Sequence, residues 1–155
     1  MSNLSNMLVG ALAVVMIITA AGFMFVADTQ AGTESAVTAE QESETTKLGV
    51  VWTSGDREVA LKMVFMYTFN AKRQGWFDEV RFVIWGPSQK LLVEDEELKE
   101  YLGRMQEAGV EVVACQACAN MYDVVSDLEE CGVDVRYMGQ PLTAMLQGDW
   151  KVMTF

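Results

Sequence analysis

The sequence predicts an α/β domain with a mostly parallel sheet and helices on both faces, preceded by one transmembrane helix. From residue 47 onward, short β-rich runs alternate with helical patterns. Parallel strands need crossover connections that pack on the sheet, so this alternation favours a parallel arrangement. Residues 8–27 form a separate apolar stretch, and an acidic segment links it to the rest. A chain of 155 residues therefore has one domain of ordinary size and an appendage.

The apolar stretch, LVGALAVVMIITAAGFMFVA, contains no charged residue and no proline over residues 8–27. Twenty helical residues span about 30 Å, the thickness of the hydrocarbon core of a bilayer. A cleaved signal peptide is the alternative, but residues 1–7 contain no Lys or Arg and the run is longer than a signal core. We therefore predict an N-terminal tail at 1–7 and a single-pass anchor at 8–27. No basic residue precedes Lys47, so the sequence does not fix the side of the membrane on which the C-terminal domain lies.

Residues 28–46 contain five acidic residues, no basic residue and no aromatic residue. Such a segment cannot bury enough apolar surface to become ordered, so it is predicted to be a flexible tether. Because five of the 22 acidic residues lie here, the domain at 47–155 has 17 acidic and 11 basic residues, a net charge of −6. An acidic domain of this kind is a poor candidate for binding nucleic acid or anionic lipid.

Histidine is absent from the sequence. This excludes Cys-His nucleophiles, Ser-His-Asp triads and HExxH zinc sites. Three cysteines cannot provide a four-cysteine zinc site either. We therefore expect thiol chemistry, if any, and no metal or organic cofactor.

The strands are predicted from short β-branched or aromatic runs that end at turn residues. Ser54-Gly55-Asp56 follows the first run, and Gly86-Pro87 stops the second. The predicted strands are 47–53, 79–85, 110–114, 133–137 and 150–155.

The helices are predicted from apolar residues at helical spacing. Thr53 and Asp56 offer a capping-box pattern before the first helix, and Gly109 and Gly132 end two later ones. The predicted helices are 58–70, 88–93, 95–108, 117–131 and 142–147.

A functional site is expected at the carboxyl ends of the strands, where ligands bind in open α/β sheets. Two thiols, Cys115 and Cys118, follow the third strand at this edge. Residues at the other strand ends are candidates to line a pocket around them: Trp52, Ser54, Asp56, Trp85, Gly86, Pro87, Asn120 and Met138.

The two thiols are predicted to lie where a helix begins. The unpaired N–H groups and positive dipole end of that helix favour thiolate, the nucleophilic form. We expect Cys115 to be the reacting thiol, exposed in a cleft, and Cys118, about one turn on, to resolve or modulate it. The alternative is that both pack as small apolar residues. Cys131, at the far end of the same predicted helix beside Gly132, is expected to be structural.

Four stretches carry a family resemblance: VVWTSGDREVALKMVFMYTFNAKRQGWFDEVRFVIWGPSQKLL, GVEVVACQACANMYDV, GVDVRYMGQPLT and WKVMTF. They resemble the DsrE/DsrF-like sulfur-relay family, which includes the TusBCD-type proteins. The resemblance covers 47–155 and neither the anchor nor the tether. It implies a flavodoxin-like domain that assembles into homo- or hetero-oligomers, with a cysteine that carries persulfide sulfur, which would be Cys115. Where relay members tend to have Arg-Gly, this chain has Tyr122-Asp123, and Cys118 is additional to the single-thiol pattern.

The leading hypothesis is a membrane-tethered sulfur carrier or thiol-redox relay that uses Cys115 with Cys118. Its partner would be a sulfur donor or acceptor protein or a membrane redox complex. The second hypothesis is a non-catalytic accessory or assembly subunit that docks on a membrane complex through the α/β domain. A third is a small-molecule or nucleotide-binding module with a pocket between Trp52 and Trp85.

Overall fold

The computed structural model describes residues 44–155. The predicted tail, the anchor at 8–27 and most of the tether lie outside the described residues. Within 44–155 no helix combines the length and the apolar character needed to cross a membrane.

The described part of the chain forms one five-stranded sheet in the order β4-β3-β2-β1-β5, and every pairing in it is parallel. Each strand predicted from the sequence is present within a residue or two of its expected bounds. The flavodoxin-like α/β class is therefore confirmed for this part of the chain. The strands are β1 Lys47–Trp52, β2 Glu79–Ile84, β3 Glu111–Cys115, β4 Asp134–Arg136 and β5 Trp150–Thr154.

Helices connect the strands as the alternating pattern predicted. Asp56 caps the first of them, since its carboxylate accepts hydrogen bonds from the N–H groups of Glu58 and Val59. Thr53 takes no part in this cap, and its hydroxyl donates to the carbonyl oxygen of Phe155 instead (2.6 Å). The elements are α1 Arg57–Val59, a π-helical segment Ala60–Phe65, α2 Met66–Arg73, α3 Ser88–Glu94, α4 Glu96–Glu107, α5 Gln116–Tyr122, α6 Val125–Glu130 and α7 Gly139–Gln147.

The single helix predicted at 117–131 is wrong, because two helices, α5 and α6, occupy this range. The break is at Asp123, whose φ of 58° is left-handed. Aspartate adopts this conformation more readily than most residues because its short side chain can hydrogen-bond locally. The break changes the direction of the chain, so that Ala119 in α5 and Leu128 in α6 are both buried. Cys131 therefore does not lie on the same helix as Cys118.

The two faces of the sheet differ. Successive side chains of a strand point to opposite faces. One face, which we call the main-core face, carries Trp52, Phe82 and Ala114 and packs against residues of α2 to α6 and the π-helical segment. The other, which we call the thiol face, carries Val51, Val83, Val113 and Cys115, packed against Met138.

α7 covers part of the thiol face. A Cβ atom added to Gly49 would lie only 2.3 Å from the Cε atom of Met145 in α7. The chain moves across the sheet in one direction from β1 to β4 and returns in the opposite direction from β4 to β5. Because crossover connections are right-handed, the returning connection places α7 on the face opposite to the earlier helices. Helices thus lie on both faces, but unequally.

Candidate functional site

Cys115 is the last residue of β3 and lies on the thiol face. It is 3% exposed, packed with Val83, Val113 and Met138. The prediction that its sulfur is exposed in a cleft is therefore wrong. The physical reason is the alternation of side chains along a strand: Cys115 points to the same face as Val113, two residues earlier. Met138, the residue before α7, covers that end of the face.

Cys118 lies in the first turn of α5 and is partly exposed. It packs against the cluster that contains Cys115, so the two thiol groups are neighbours. The backbone N–H of Gly86 lies beside the Cys118 sulfur. Cys115, Cys118 and Cys131 are all free thiols. Cys118, rather than Cys115, is thus the member of the pair that solvent and a partner can reach.

The surroundings of Cys118 disfavour its charged form. Burial raises the pKa of the Cys118 thiol above its ordinary value, and a negative charge on Cys115 would raise it further. The Gly86 N–H lowers this pKa, because an N–H group beside the sulfur stabilises the thiolate. Cys118 is therefore not a permanently ionised nucleophile, and its reactivity depends on what removes its proton.

The local chain path explains why the two sulfurs meet. Cys115 has extended backbone angles (φ −74°, ψ 110°) and precedes the first residue of α5. Its side chain makes no capping hydrogen bond. Cys118 follows by three residues, which in a helix is about one turn. A cysteine at the helix cap and another in the first turn therefore lie side by side.

The turn after β2 forms the neighbouring wall of the site. Gly86 has a φ of 73°, a left-handed conformation that glycine adopts without steric cost. Ser88 and Gln89, the first two residues of α3 after this turn, are polar but fully buried. Sequence reasoning missed these two residues. The available signal was a pair of polar residues directly after Gly-Pro at the carboxyl end of a buried strand.

Ser88 and Gln89 tie together the carboxyl ends of three strands. The Ser88 hydroxyl donates to the carbonyl oxygen of Trp52 (2.7 Å). The Gln89 Nε2 atom donates to the carbonyl oxygens of Ile84 (3.1 Å) and Cys115 (3.0 Å). Buried carbonyl groups need hydrogen-bond partners, and these side chains supply partners at the ends of three neighbouring strands.

The structure brings together five of the predicted site residues. Trp85 and Cys118 pack against the cluster that contains Cys115 and Met138, and the N–H of Gly86 lies beside the Cys118 sulfur. Pro87 follows Gly86 in the same turn and is exposed.

The predicted pocket between Trp52 and Trp85 is wrong. Trp52 is fully buried in the main core, stacked on Phe82 with ring centroids 5.9 Å apart, whereas Trp85 lies on the thiol face. Ser54 and Asp56 serve the start of α1, where the Ser54 hydroxyl accepts a hydrogen bond from the Asp56 N–H (3.1 Å). The remaining predicted residue, Asn120, is exposed on α5.

A cavity of about 130 Å³ lies at the amino ends of the strands, lined by residues that include Thr46, Lys47, Phe77 and Asp149. It is at the opposite end of the sheet from the thiols. Within residues 44–155, no three His, Cys, Asp or Glu side chains are grouped so that they could hold a metal ion.

Solved structures resemble this chain over most of its length. A conserved protein of unknown function from Bacteroides thetaiotaomicron, BT1422, is 33% identical over 70% of this chain and 94% of its own, with a TM-score of 0.68. The ychN protein from E. coli is 15% identical over 72% of this chain and all of its own, with a TM-score of 0.57. The second likeness shows the fold alone.

No family model matches the chain, and no curated protein matches it. The resemblance to the DsrE/DsrF-like family is therefore supported at the level of the fold, through ychN, and not for the TusBCD-type proteins. At 33% identity over nearly the whole of its relative, the chain belongs to the same family as the Bacteroides thetaiotaomicron protein BT1422, and its α/β domain has a DsrE-like fold.

Proposed function

We propose that this protein handles sulfane sulfur through its two neighbouring thiols, with Cys118 as the carrier and Cys115 as the releasing thiol. The observation that carries the proposal is the pair of neighbouring free thiols at the carboxyl edge of the sheet. Ligands of open α/β folds bind at this edge. The DsrE-like fold supports a sulfur-related role as a class and nothing finer.

The exposure of the two thiols sets the order of their roles. Cys118 is partly exposed and Cys115 is buried beneath it, so a donor meets Cys118 first. This reverses the order expected from the sequence, in which Cys115 was the carrier. The Gly86 N–H beside the Cys118 sulfur would stabilise negative charge as that thiol reacts.

Loading transfers one sulfur atom. The Cys118 thiolate attacks the outer sulfur of a donor persulfide, and the donor leaves as a thiolate that takes up the proton released by Cys118. The Cys118 side chain then ends in a persulfide, one of the reversible caps of cysteine.

Release uses the second thiol. The Cys115 thiolate attacks the inner sulfur of the Cys118 persulfide, a bond forms between the two Sγ atoms, and the outer sulfur leaves as hydrosulfide with the electron pair of the broken bond. Two electrons from a thiol reductant then restore both cysteines.

Intact mass spectrometry of the full chain, after treatment with a low-molecular-weight persulfide, tests these roles. Loading adds one sulfur atom, about 32 Da. We expect Cys115→Ser to accumulate this adduct on Cys118 because release is blocked, and Cys118→Ser to form none. Cys131→Ser is the matched control and should behave as the wild type does. Absence of the adduct in Cys115→Ser, or an adduct that persists in Cys118→Ser, would overturn the proposed roles.

The burial of Cys115 favours a second candidate, an accessory or assembly subunit in which both cysteines merely pack. The double variant Cys115→Ala/Cys118→Ala separates the two candidates. An accessory subunit should keep its binding partner and its cellular function, whereas a sulfur carrier should keep its fold and lose transfer.

The proposal extends to the place where the protein acts. The apolar residues 8–27 would anchor it in a membrane, and the acidic residues that follow would let the domain reach a membrane redox complex or a sulfur donor or acceptor protein. Assembly into homo- or hetero-oligomers is part of the same proposal. Membrane fractionation of the full chain, compared with a chain that lacks residues 1–27, tests the anchor.

A further inference from the structure

The carboxamide of Gln89 links the turn after β2 to the thiol pair. Gln89 is fully buried, and its Nε2 atom donates at once to the carbonyl oxygen of Ile84, in β2, and to that of Cys115, in β3. The Oε1 atom of Gln89 is buried without a hydrogen-bond partner. A buried amide oxygen without a partner is costly, so the two bonds made by Nε2 must outweigh that cost.

The same turn contacts both cysteines. The N–H of Gly86 lies beside the sulfur of Cys118, and the Nε2 atom of Gln89, three residues later in the chain, donates to the carbonyl oxygen of Cys115. Cys115 is the residue at which β3 ends and α5 begins, and its side chain makes no capping bond. The conformation at this junction is therefore fixed from outside the helix, by Gln89.

We propose that Gln89 is a positioning residue for the thiol pair: by holding the Cys115 carbonyl it keeps the two sulfurs at a separation that favours the Cys115–Cys118 disulfide. The inference rests on the proposed function for its biological purpose, because the same disulfide forms when sulfur is released. A disulfide forms only within a narrow range of geometries, so a looser junction makes its formation less favourable.

Equilibration of the purified full chain with mixtures of glutathione and glutathione disulfide measures this effect. Two thiols lose two electrons and two protons, one Sγ–Sγ bond forms, and glutathione disulfide is converted to two glutathione molecules. We expect Gln89→Met, which preserves the side-chain volume and removes both bonds, to lower the equilibrium constant for disulfide formation about tenfold. For a two-electron couple this is a rise of about 30 mV in the reduction potential.

Ser88→Ala is the matched control on the same turn. Ser88 is also fully buried, but its hydroxyl donates to the carbonyl oxygen of Trp52 and not to a cysteine. Both variants should lower the melting temperature, whereas only Gln89→Met should change the potential. Gln89→Asn is the second variant, for use where Gln89→Met folds poorly. Its side chain keeps the amide donor but is one methylene shorter, so the reduction potential should rise by a smaller amount.

An unchanged potential in both Gln89 variants, or an equal change in Ser88→Ala, would overturn the positioning role and leave the proposed function intact. A different result would overturn the proposed function and leave the positioning role intact. In that case Cys118 takes up no persulfide sulfur, the wild type still forms the disulfide, and Gln89→Met still raises the reduction potential. A wild-type pair that forms no disulfide would overturn the positioning role and the release step together.

Discussion

The two faces of the sheet bury different numbers of residues. The main-core cluster contains 21 buried residues, with an aromatic group formed by Trp52, Phe65 and Phe82 at its centre. The thiol-face cluster contains five buried residues, one of which is Cys115. Since burial of apolar surface is the main favourable term in folding, most of the stability should come from the first face. The second face has the smaller buried cluster, and the Cys115 and Cys118 thiols lie there, outside the main core.

Neighbouring residues of β2 offer the most direct way to break this comparison. Phe82 points into the main core, where it contacts Trp52 and Phe65, and Val83 points to the thiol face. We expect Phe82→Ala to lower the free energy of unfolding by about 3–5 kcal/mol. Val83→Ala removes two carbons and should cost about 1–3 kcal/mol. Urea denaturation measures both, and equal losses would contradict the division of stability between the faces.

The contact between β1 and α7 tests how firmly the thiol face is covered. A Cβ atom on Gly49 would lie 2.3 Å from the Cε atom of Met145. We expect Gly49→Ala to lower the free energy of unfolding by about 1 kcal/mol, because the flexible end of Met145 must move aside. Gly55→Ala is the control, since its new Cβ atom meets Pro87 at an ordinary distance of 3.5 Å.

A double variant sharpens the Gly49 prediction. Thermal unfolding of Gly49→Ala, Met145→Ala and the combination gives a coupling energy. If the two residues are in contact, Gly49→Ala should cost less when Met145 is already alanine. Strictly additive changes in the free energy of unfolding would mean that Met145 of α7 and the residue at position 49 of β1 do not interact.

One cysteine on each side of the sheet allows a comparison by pH. Burial raises the pKa of Cys118, beside the thiol face, and of Cys131, which packs against the main core. Because the folded-state values lie above the unfolded value of about 8.5, stability is fully present below that pH and is lost as pH rises through the folded values. We expect the free energy of unfolding to fall as the pH rises above about 8.5.

Serine replacements show which cysteine causes the loss of stability at high pH. Cys118→Ser and Cys131→Ser should each make the dependence on pH shallower, as measured by urea denaturation at several pH values. Cys115→Ser should lower the pKa of Cys118, since it removes the charge that Cys115 would carry. Alkylation of Cys118 that reaches its maximum at the same pH with and without Cys115 would contradict this coupling.

The smallest change in the free energy of unfolding is expected from a substitution among the charged residues on the thiol face. Glu111 accepts hydrogen bonds from Arg81 (2.7 Å) and Arg136 (2.9 Å), and all three side chains are at least partly exposed. We expect Glu111→Gln to lower the free energy of unfolding by less than about 1 kcal/mol, with a smaller loss at high salt. A larger loss, unaffected by salt, would show that these charges are a structural part of that face.

Several elements could be predicted because their signals are local. Asp56 caps the first helix as its position before an apolar pattern suggested, and Gly109 adopts a φ of 90° after α4. The break at Asp123 was missed because the residues on both sides of it suit a helix. Its left-handed conformation is set by what α5 and α6 bury, which is decided at a distance.

By itself the sequence determined the class of fold, the strands and the place of the two thiols at the carboxyl edge of the sheet. Hydrophobic periodicity and turn residues carry that information, and both act between neighbours in the chain. Only the tertiary structure decided that Trp52 is core, that Cys115 is covered and Cys118 accessible, and that Gln89 holds the Cys115 carbonyl. These features depend on which residues meet across strands and turns that are far apart in sequence, and no local pattern encodes such a meeting.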